Sequence, residues 1–493
     1  MSHQTMSKPR WFTAHFGIRK PQYELPFIDF DLNADVPLYI DPYAITQDGS
    51  LLGARCHDAI VSYFQALLDA VRAHDDRYVR YLLSGRLAEP KEIHLGVGKR
   101  ARSGAGIGPL QESQIIEALT GSQALKTGSI QSIQELELHI EGIGPDKISD
   151  LVGNIIKGQL AEFTSWVCGQ YGIPSRHSAV NACWDTEHLT WRGCYHRLPV
   201  RGTDAYILVP KQFVRLEKDT VNHRDFYEHY VLDVLEREML TANDSLVQTL
   251  KNGRRRVTKR SLREDARFRP TKAFISEFIQ MHPETISRYR GDVSRRFAPV
   301  DPAEFSGKSL EDDPGIHAAL DSLAELPTGA AYASAYQNTV LRLVEFVFDW
   351  CLRSFAKEYP MDQERGRIDI ICDNHAGVGL FAELKTELQA TSIPIECKNY
   401  STDLGNEEFN QLNDRLGDAS SRLGFIFCRG VSDRRAMSRH VTNRWTRQRN
   451  MILVFDDKQL TRLARLRLAR DFQGIEAIVR EMVRHVKFGN PGE

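Results

Sequence analysis

The sequence predicts an α/β protein: a mixed sheet flanked by helices in the carboxy-terminal part, after a mixed α+β amino-terminal region. Three observations carry this reading. Residues 392–398, SIPIECK, alternate with a period of two, the mark of a strand. Leu423 to Cys428 and Met451 to Phe455 are short apolar runs of strand length, separated by segments long enough for helices. Leu380, Leu384 and Leu388 recur at i, i+4 and i+8, which is helix spacing. Strands alternating with helices in this way make a compact α/β domain.

The elements follow in chain order. Residues 11 to about 50 mix aromatics with Pro21, Pro26, Pro37 and Pro42, predicting extended segments and turns. Helices are expected over 54–83, 111–119 and 146–171, and a Gly-rich basic loop, GVGKRARSGAGIG, over 96–108. Short strands and turns are expected over 183–215, then a helix over 223–250, so the first 297 residues divide into two parts near 220. Four prolines and the acids Glu311, Asp312 and Asp313 within 298–330 predict a linker. Beyond it come a helix over 332–356, a strand over 366–371, a helix over 379–389 and the strand 392–398. A helix over 404–418, strand 423–428, helix 432–448, strand 451–455 and helix 457–470 complete the series.

Composition narrows the classes of function. The 493 residues are 42% apolar and 26% charged, ordinary for a globular protein and incompatible with a collagen or disulfide scaffold. The net charge of −1 names no partner, but local charge does. Residues 251–300 carry 14 Lys/Arg against 5 Asp/Glu, and 429–470 carry 12 against 3, a local net of +9 in each. Such surfaces neutralise phosphates without reading sequence. Arg254, Arg255 and Arg256 in the first stretch, and Arg434, Arg435, Arg439 and Arg444 in the second, are the candidate nucleic-acid contacts. The alternative is that these arginines are merely solvated. Eight scattered cysteines without a CxxC pair predict reduced thiols, and no run approaches the ~20 apolar residues of a membrane span. A cytoplasmic location without membrane contact is the expectation.

The chemistry centres on Asp369, Glu396 and Lys398. In an extended segment, residues i and i+2 share a face. Glu396 and Lys398 therefore project together, with Ile395 and Cys397 on the opposite side. Asp369, central in the preceding strand, can present a second carboxylate to the same point. Two carboxylates hold a hard divalent cation, and an ammonium beside it can orient water or offset charge on a phosphate.

Asp369 followed by Glu396-Cys397-Lys398 resembles the PD-(D/E)xK nuclease superfamily, with Glu345 on the preceding helix and Gln411 in FNQLNDRL after the ExK strand. The likeness covers roughly 332–470, and Ile368 stands where the motif has proline. The resemblance implies a restriction-endonuclease-like α/β core of the Mrr-like kind. It also implies a site of Asp369, Glu396, Lys398, Glu345 and Gln411. Mg²⁺, with Mn²⁺ as substitute, would be held by Asp369, Glu396, Glu345 and the backbone carbonyl of Cys397. DNA hydrolysis by a restriction or anti-phage defence effector follows, with a homo-oligomer and a partner protein of the same system as expected assemblies. The alternatives are a DNA repair nuclease and a nucleic-acid-binding protein with an inactive nuclease fold. Residues 1–297 would serve recognition or regulation.

The chain contains a decoy. Glu383-Leu384-Lys385 is also ExK, but it lies within the leucine helix pattern, where its Glu and Lys diverge by ~200°. Other motifs are weaker. GVGKRARSGAGIG lacks the GxxxxGK[ST] spacing of a phosphate-binding loop. Residues 141–147, EGIGPDK, look like a helix-hairpin-helix turn, but Asp146 and Asp150 would face phosphates badly, and an ordinary Gly-Pro turn capped by Asp146 explains them better. Cys183, His188, Cys194 and His196 match no regular zinc spacing.

Overall fold

The computed structural model describes residues 10–83, 90–95, 145–216, 220, 223–250, 252–295, 300, 304, 313–360, 367–417 and 421–489. The Gly-rich loop, the 111–119 segment and Glu141–Gly144 lie outside the described residues. The chain divides into two compact units.

The first unit comprises Met1–Arg19, Phe27–Ile45 and Ala54–Phe297. Its helices include Asp76–Leu83, Pro145–Ile155 and Lys157–Tyr171, so the two long helical stretches read from sequence are each broken once. A hairpin of strands Ser175–Asp185 and Thr190–Arg201 follows, with a register shift between Val180 and Cys183. Trp184 and Trp191 pack on each other and on Tyr63, with centroids 5.1–5.5 Å apart. The hairpin brings Cys183 and Cys194 to a Cα separation of 6.4 Å, and the two are disulfide-bonded. The expectation of reduced thiols therefore holds for six cysteines and fails for this pair. A separate core runs from Phe226 to Tyr289.

The second unit comprises Lys20–Pro26, Thr46–Gly53 and Ala298–Glu493. Two early segments thus belong with the late chain, which no local sequence signal reveals. Tyr23 packs edge-on against Phe346 at 5.3 Å. The Gly49 amide donates to the His375 carbonyl, and Asp48 pairs with Arg353 at 3.3 Å.

The predicted linker is corrected in part. Within 298–330 lies helix α1 (Pro314–Glu325), with Ile316, Ala319 and Leu323 buried in the core. Asp313 is its N-cap, accepting the Gly315 and Ile316 amides, and Pro314 opens its first turn. The proline and acid read as linker punctuation are helix-start signals. Burying Ile316 and Leu323 contributes roughly 3–5 kcal/mol. A fragment beginning at 331 should therefore unfold at a lower urea concentration than one beginning at 313. Both lack the early segments, so the difference isolates α1. Equal midpoints would show that α1 adds nothing to the core.

Helix α2 (Ala333–Phe348) follows; its buried Tyr336, Val340, Leu343, Val344 and Val347 form an apolar stripe. It stops at Phe348, shorter than the helix over 332–356 read from sequence, because residues from Leu352 onward form a strand. The sheet consists of β1 (Leu352–Pro360), β2 (Arg367–Asn374), β3 (Ser392–Lys398), β4 (Leu423–Cys428) and β5 (Met451–Asp456), in the order β5-β4-β3-β2-β1. β1, β2 and β3 are antiparallel neighbours, whereas β3, β4 and β5 are parallel. Every residue of β4 and β5 is buried, as parallel strands covered on both faces require. Helix α3 (Gly379–Leu388) links β2 to β3, α4 (Asn406–Asn413) links β3 to β4, and α5 (Arg434–Gln448) links β4 to β5. α6 (Asp457–Leu468) and α7 (Phe472–Phe488) close the chain. The protein is therefore mixed α/β. Among the described residues no helix is long and apolar enough to cross a membrane.

Candidate active site

The β2–β3 register pairs Ile370 with Ile395 and Ile371 with Pro394. One step further along each antiparallel strand sets Asp369 beside Glu396. The ladder changes there: Asp369 Oδ2 accepts the Cys397 amide at 2.8 Å, so a side chain takes the place of a backbone acceptor. That bond fixes one carboxylate oxygen at the β3 backbone.

The exposure is the reverse of the sequence expectation: Glu396 is 0% and Lys398 8% exposed, whereas Cys397, expected on the buried side, is the partly exposed residue. A buried carboxylate needs compensation. Lys398 Nζ supplies part of it, lying 3.0 Å from Glu396 Oε2. The same ammonium donates to Gln411 Oε1 at 2.7 Å, linking the strand to α4. Arg415, just beyond α4, supplies the rest through a direct contact of its NH1 with Glu396 Oε1. Its NH2 donates to the Arg367 carbonyl at 2.6 Å. Burial lowers the Arg415 pKa from its usual value, and the Asp369 charge partly restores it.

Asp369, Glu396, Lys398 and Gln411 are thus brought together. Glu345 takes no part in these bonds. The residue of α2 that reaches β2 is Gln337, whose Nε2 donates to the Asp369 carbonyl at 3.0 Å and to Glu358 Oε1 at 3.0 Å. Glu345 lies eight residues further along the same helix, a rise of ~12 Å. Glu358 itself faces Asp369 across the β1–β2 register, which pairs Tyr359 with Ile368 and Lys357 with Ile370. It holds a left-handed φ of 53°, a strained conformation for a residue with a Cβ.

The donor set is one of hard oxygens. Burial pushes the Cys397 thiol well above its ordinary pKa. It stays protonated, and the residue can serve a cation only through its carbonyl. Among the described residues no group of three or more His, Cys, Asp or Glu could hold a metal ion. Two carboxylates with a carbonyl nevertheless fit a Mg²⁺-like ion, which keeps several waters.

The basic candidates separate. Arg435 and Arg439 are exposed on α5. Arg434 is half-exposed and pairs with Asp456 at 3.2 Å. Arg444 is buried: it donates to the His440 carbonyl at 2.8 Å and to Asn406 Oδ1 at 2.9 Å, and stacks over Phe409. It clamps α4 to α5, which corrects its assignment as a nucleic-acid contact. Arg254, Arg255 and Arg256 are exposed, the last two in the strand of a small hairpin of the first unit, and Arg255 NH2 donates to Asn243 Oδ1 at 2.6 Å.

Gln337, Glu358 and Arg415 were missed by the sequence reading. Arg415 had a signal, standing four residues after Gln411 within the helix read from sequence over 404–418, and so on one face of it with Gln411. Gln337 and Glu358 had none.

A model of a domain of unknown function, DUF8370, matches residues 17–222. That span ends before every residue of the candidate site. No curated protein and no solved structure matches the chain.

Proposed function

We propose that this protein is a metal-dependent nuclease that hydrolyses phosphodiester bonds in DNA, with the second unit as a restriction-endonuclease-like core. The observation that carries the reading is the meeting of Asp369, Glu396 and Lys398 at neighbouring ends of β2 and β3, with Gln411 behind the lysine. Three antiparallel strands continuing into two parallel ones, with the acid pair on the second and third, support the same core.

Mg²⁺ or Mn²⁺, held by Asp369, Glu396 and the Cys397 carbonyl, would supply Lewis acidity and an activated water. The chain's own residues do the rest. Cys397 N–H orients the Asp369 carboxylate, which needs no reorganisation to face a cation. Lys398 spends two of its three N–H bonds on Glu396 and Gln411, and the third is left for a phosphate oxygen. Arg435 and Arg439 offer positive charge to a DNA backbone. A restriction or defence role, a homo-oligomer for double-strand cutting and a partner protein are further parts of this proposal, by analogy. Six free thiols support a cytoplasmic location, against which the Cys183–Cys194 bond stands.

Supercoiled plasmid incubated with the full chain tests the proposal. Nicking is expected with Mg²⁺ or Mn²⁺ and none in EDTA. Ca²⁺ should support binding with little hydrolysis, because its longer, looser coordination positions water poorly. Cutting that persists in EDTA would overturn the mechanism. DNA binding without cutting under any metal would favour an inactive relative, a reading to which the double neutralisation of Glu396 by Lys398 and Arg415 also lends support.

A further inference from the structure

We infer that Arg415 is a resident counter-cation of the site, occupying the place beside Glu396 that a divalent metal takes, and that it must swing away for the metal to bind. The inference rests on the nuclease reading and adds a residue to it.

The charge count is the starting point. Asp369 and Glu396 contribute two negative charges, and Lys398 and Arg415 two positive ones, so the group is neutral without any metal. Both oxygens of Glu396 are engaged, Oε2 by Lys398 and Oε1 by Arg415. Glu396 is fully buried, so its charge rests on these two partners. A divalent cation entering this arrangement would meet two cations and no spare carboxylate charge. One of the two must leave.

The surroundings select which. Lys398 is anchored at both ends of its reach: its backbone lies in β3 and its ammonium is shared with Gln411. Its removal would also take away the ammonium that the chemistry needs. Arg415 comes from the turn after α4, on a longer side chain, and apart from Glu396 its guanidinium donates to the carbonyl of Arg367 at 2.6 Å. Arg367 opens β2, only two residues before Asp369, so the displaced guanidinium stays close to the carboxylates. Released from Glu396, the guanidinium can turn to a phosphate oxygen, for which its planar fork is suited.

Titration with Mn²⁺ alone, without DNA, tests this on the full chain by calorimetry and by metal-dependent thermal shift. Wild type is compared with Arg415→Met, which keeps length and apolar contacts but removes charge, and with Arg415→Lys, which keeps a shorter cation. Arg415→Met should bind Mn²⁺ at least about tenfold more tightly than wild type, because a cation no longer competes for Glu396. Arg415→Lys should fall between them. If Arg415→Met does not fold, a Lys variant that binds more tightly than wild type carries the test. Equal or weaker binding in the folded variants overturns the role of Arg415 while leaving the nuclease reading intact. Absence of Mn²⁺ binding in all three overturns the metal site, and the inference with it.

Discussion

Replacing Glu396 by Gln should reduce Mg²⁺-dependent nicking by about a thousandfold or more, whereas Glu383→Gln should cut within a few-fold of wild type. Both positions are the Glu of an ExK triplet, so residue type does not distinguish them; their surroundings do. Glu396 is fully buried beside Asp369 and in contact with Lys398. Glu383 sits on α3, more than half exposed, and pairs with Arg480 at 2.8 and 2.9 Å. Its companion Lys385 donates to the Gly49 carbonyl at 3.0 Å. Losing Glu383 removes a surface ion pair worth up to about 1 kcal/mol. Losing the Glu396 charge removes half of the negative charge available to a metal. Gln is the informative substitution, because it keeps the side chain's size and one acceptor oxygen for Lys398 or Arg415. Alanine would strand two buried cations at a cost of about 3–5 kcal/mol, and lost activity would then reflect lost fold. Plasmid nicking, with circular dichroism to confirm folding, decides the matter. An active Glu396→Gln protein beside a dead Glu383→Gln protein would overturn the site.

The contrast between the two triplets also shows what was legible in the sequence. β3, β4 and β5 announced themselves because alternation or continuous burial marks a strand directly, and α3 because its leucines keep helical spacing. Asp369, Glu396, Lys398 and Gln411 lay on or beside those elements, so their meeting followed from correct local readings. β1 did not announce itself. A register shift between Arg353 and Ala356 breaks its period of two, and Ser354 adopts a left-handed φ of 56° within it. The helix before it therefore looked longer in sequence than it is. α1 was hidden by its own cap, since Asp and Pro at a helix start have the composition of a linker. The helix α7, with Ile475, Val479, Val483 and Val486 buried, carries a readable stripe that the sequence reading passed over. The early segments 20–26 and 46–53 were beyond any local reading. Their place depends on pairs such as Asp48 with Arg353, some 300 residues apart.

The arginines of α5 give the second large effect, and it divides them by burial. Arg444→Met should destabilise the protein by about 2–4 kcal/mol, measured by urea unfolding. The guanidinium is buried, and its loss leaves Asn406 Oδ1 and Asn410 Oδ1 without this donor, removes its extra bond to the His440 carbonyl and uncovers the Phe409 ring. The double variant Arg435→Gln, Arg439→Gln should leave stability within about 0.5 kcal/mol, since both side chains are exposed. Its effect should fall on DNA. Every phosphate that a side chain no longer neutralises lowers the slope of log affinity against log salt by about 0.9, so the pair should lower it by about 2 and weaken binding at every sequence alike. Arg444→Met, in whatever fraction remains folded, should keep the wild-type slope, because a guanidinium committed to Asn406 and Asn410 releases no counterions from DNA. Fluorescence anisotropy with a labelled duplex over a salt series measures both. An unchanged slope in the double variant would remove α5 from the DNA footprint. A stable Arg444→Met protein with a reduced slope would mean that this guanidinium faces the nucleic acid and that the clamp between α4 and α5 is misassigned.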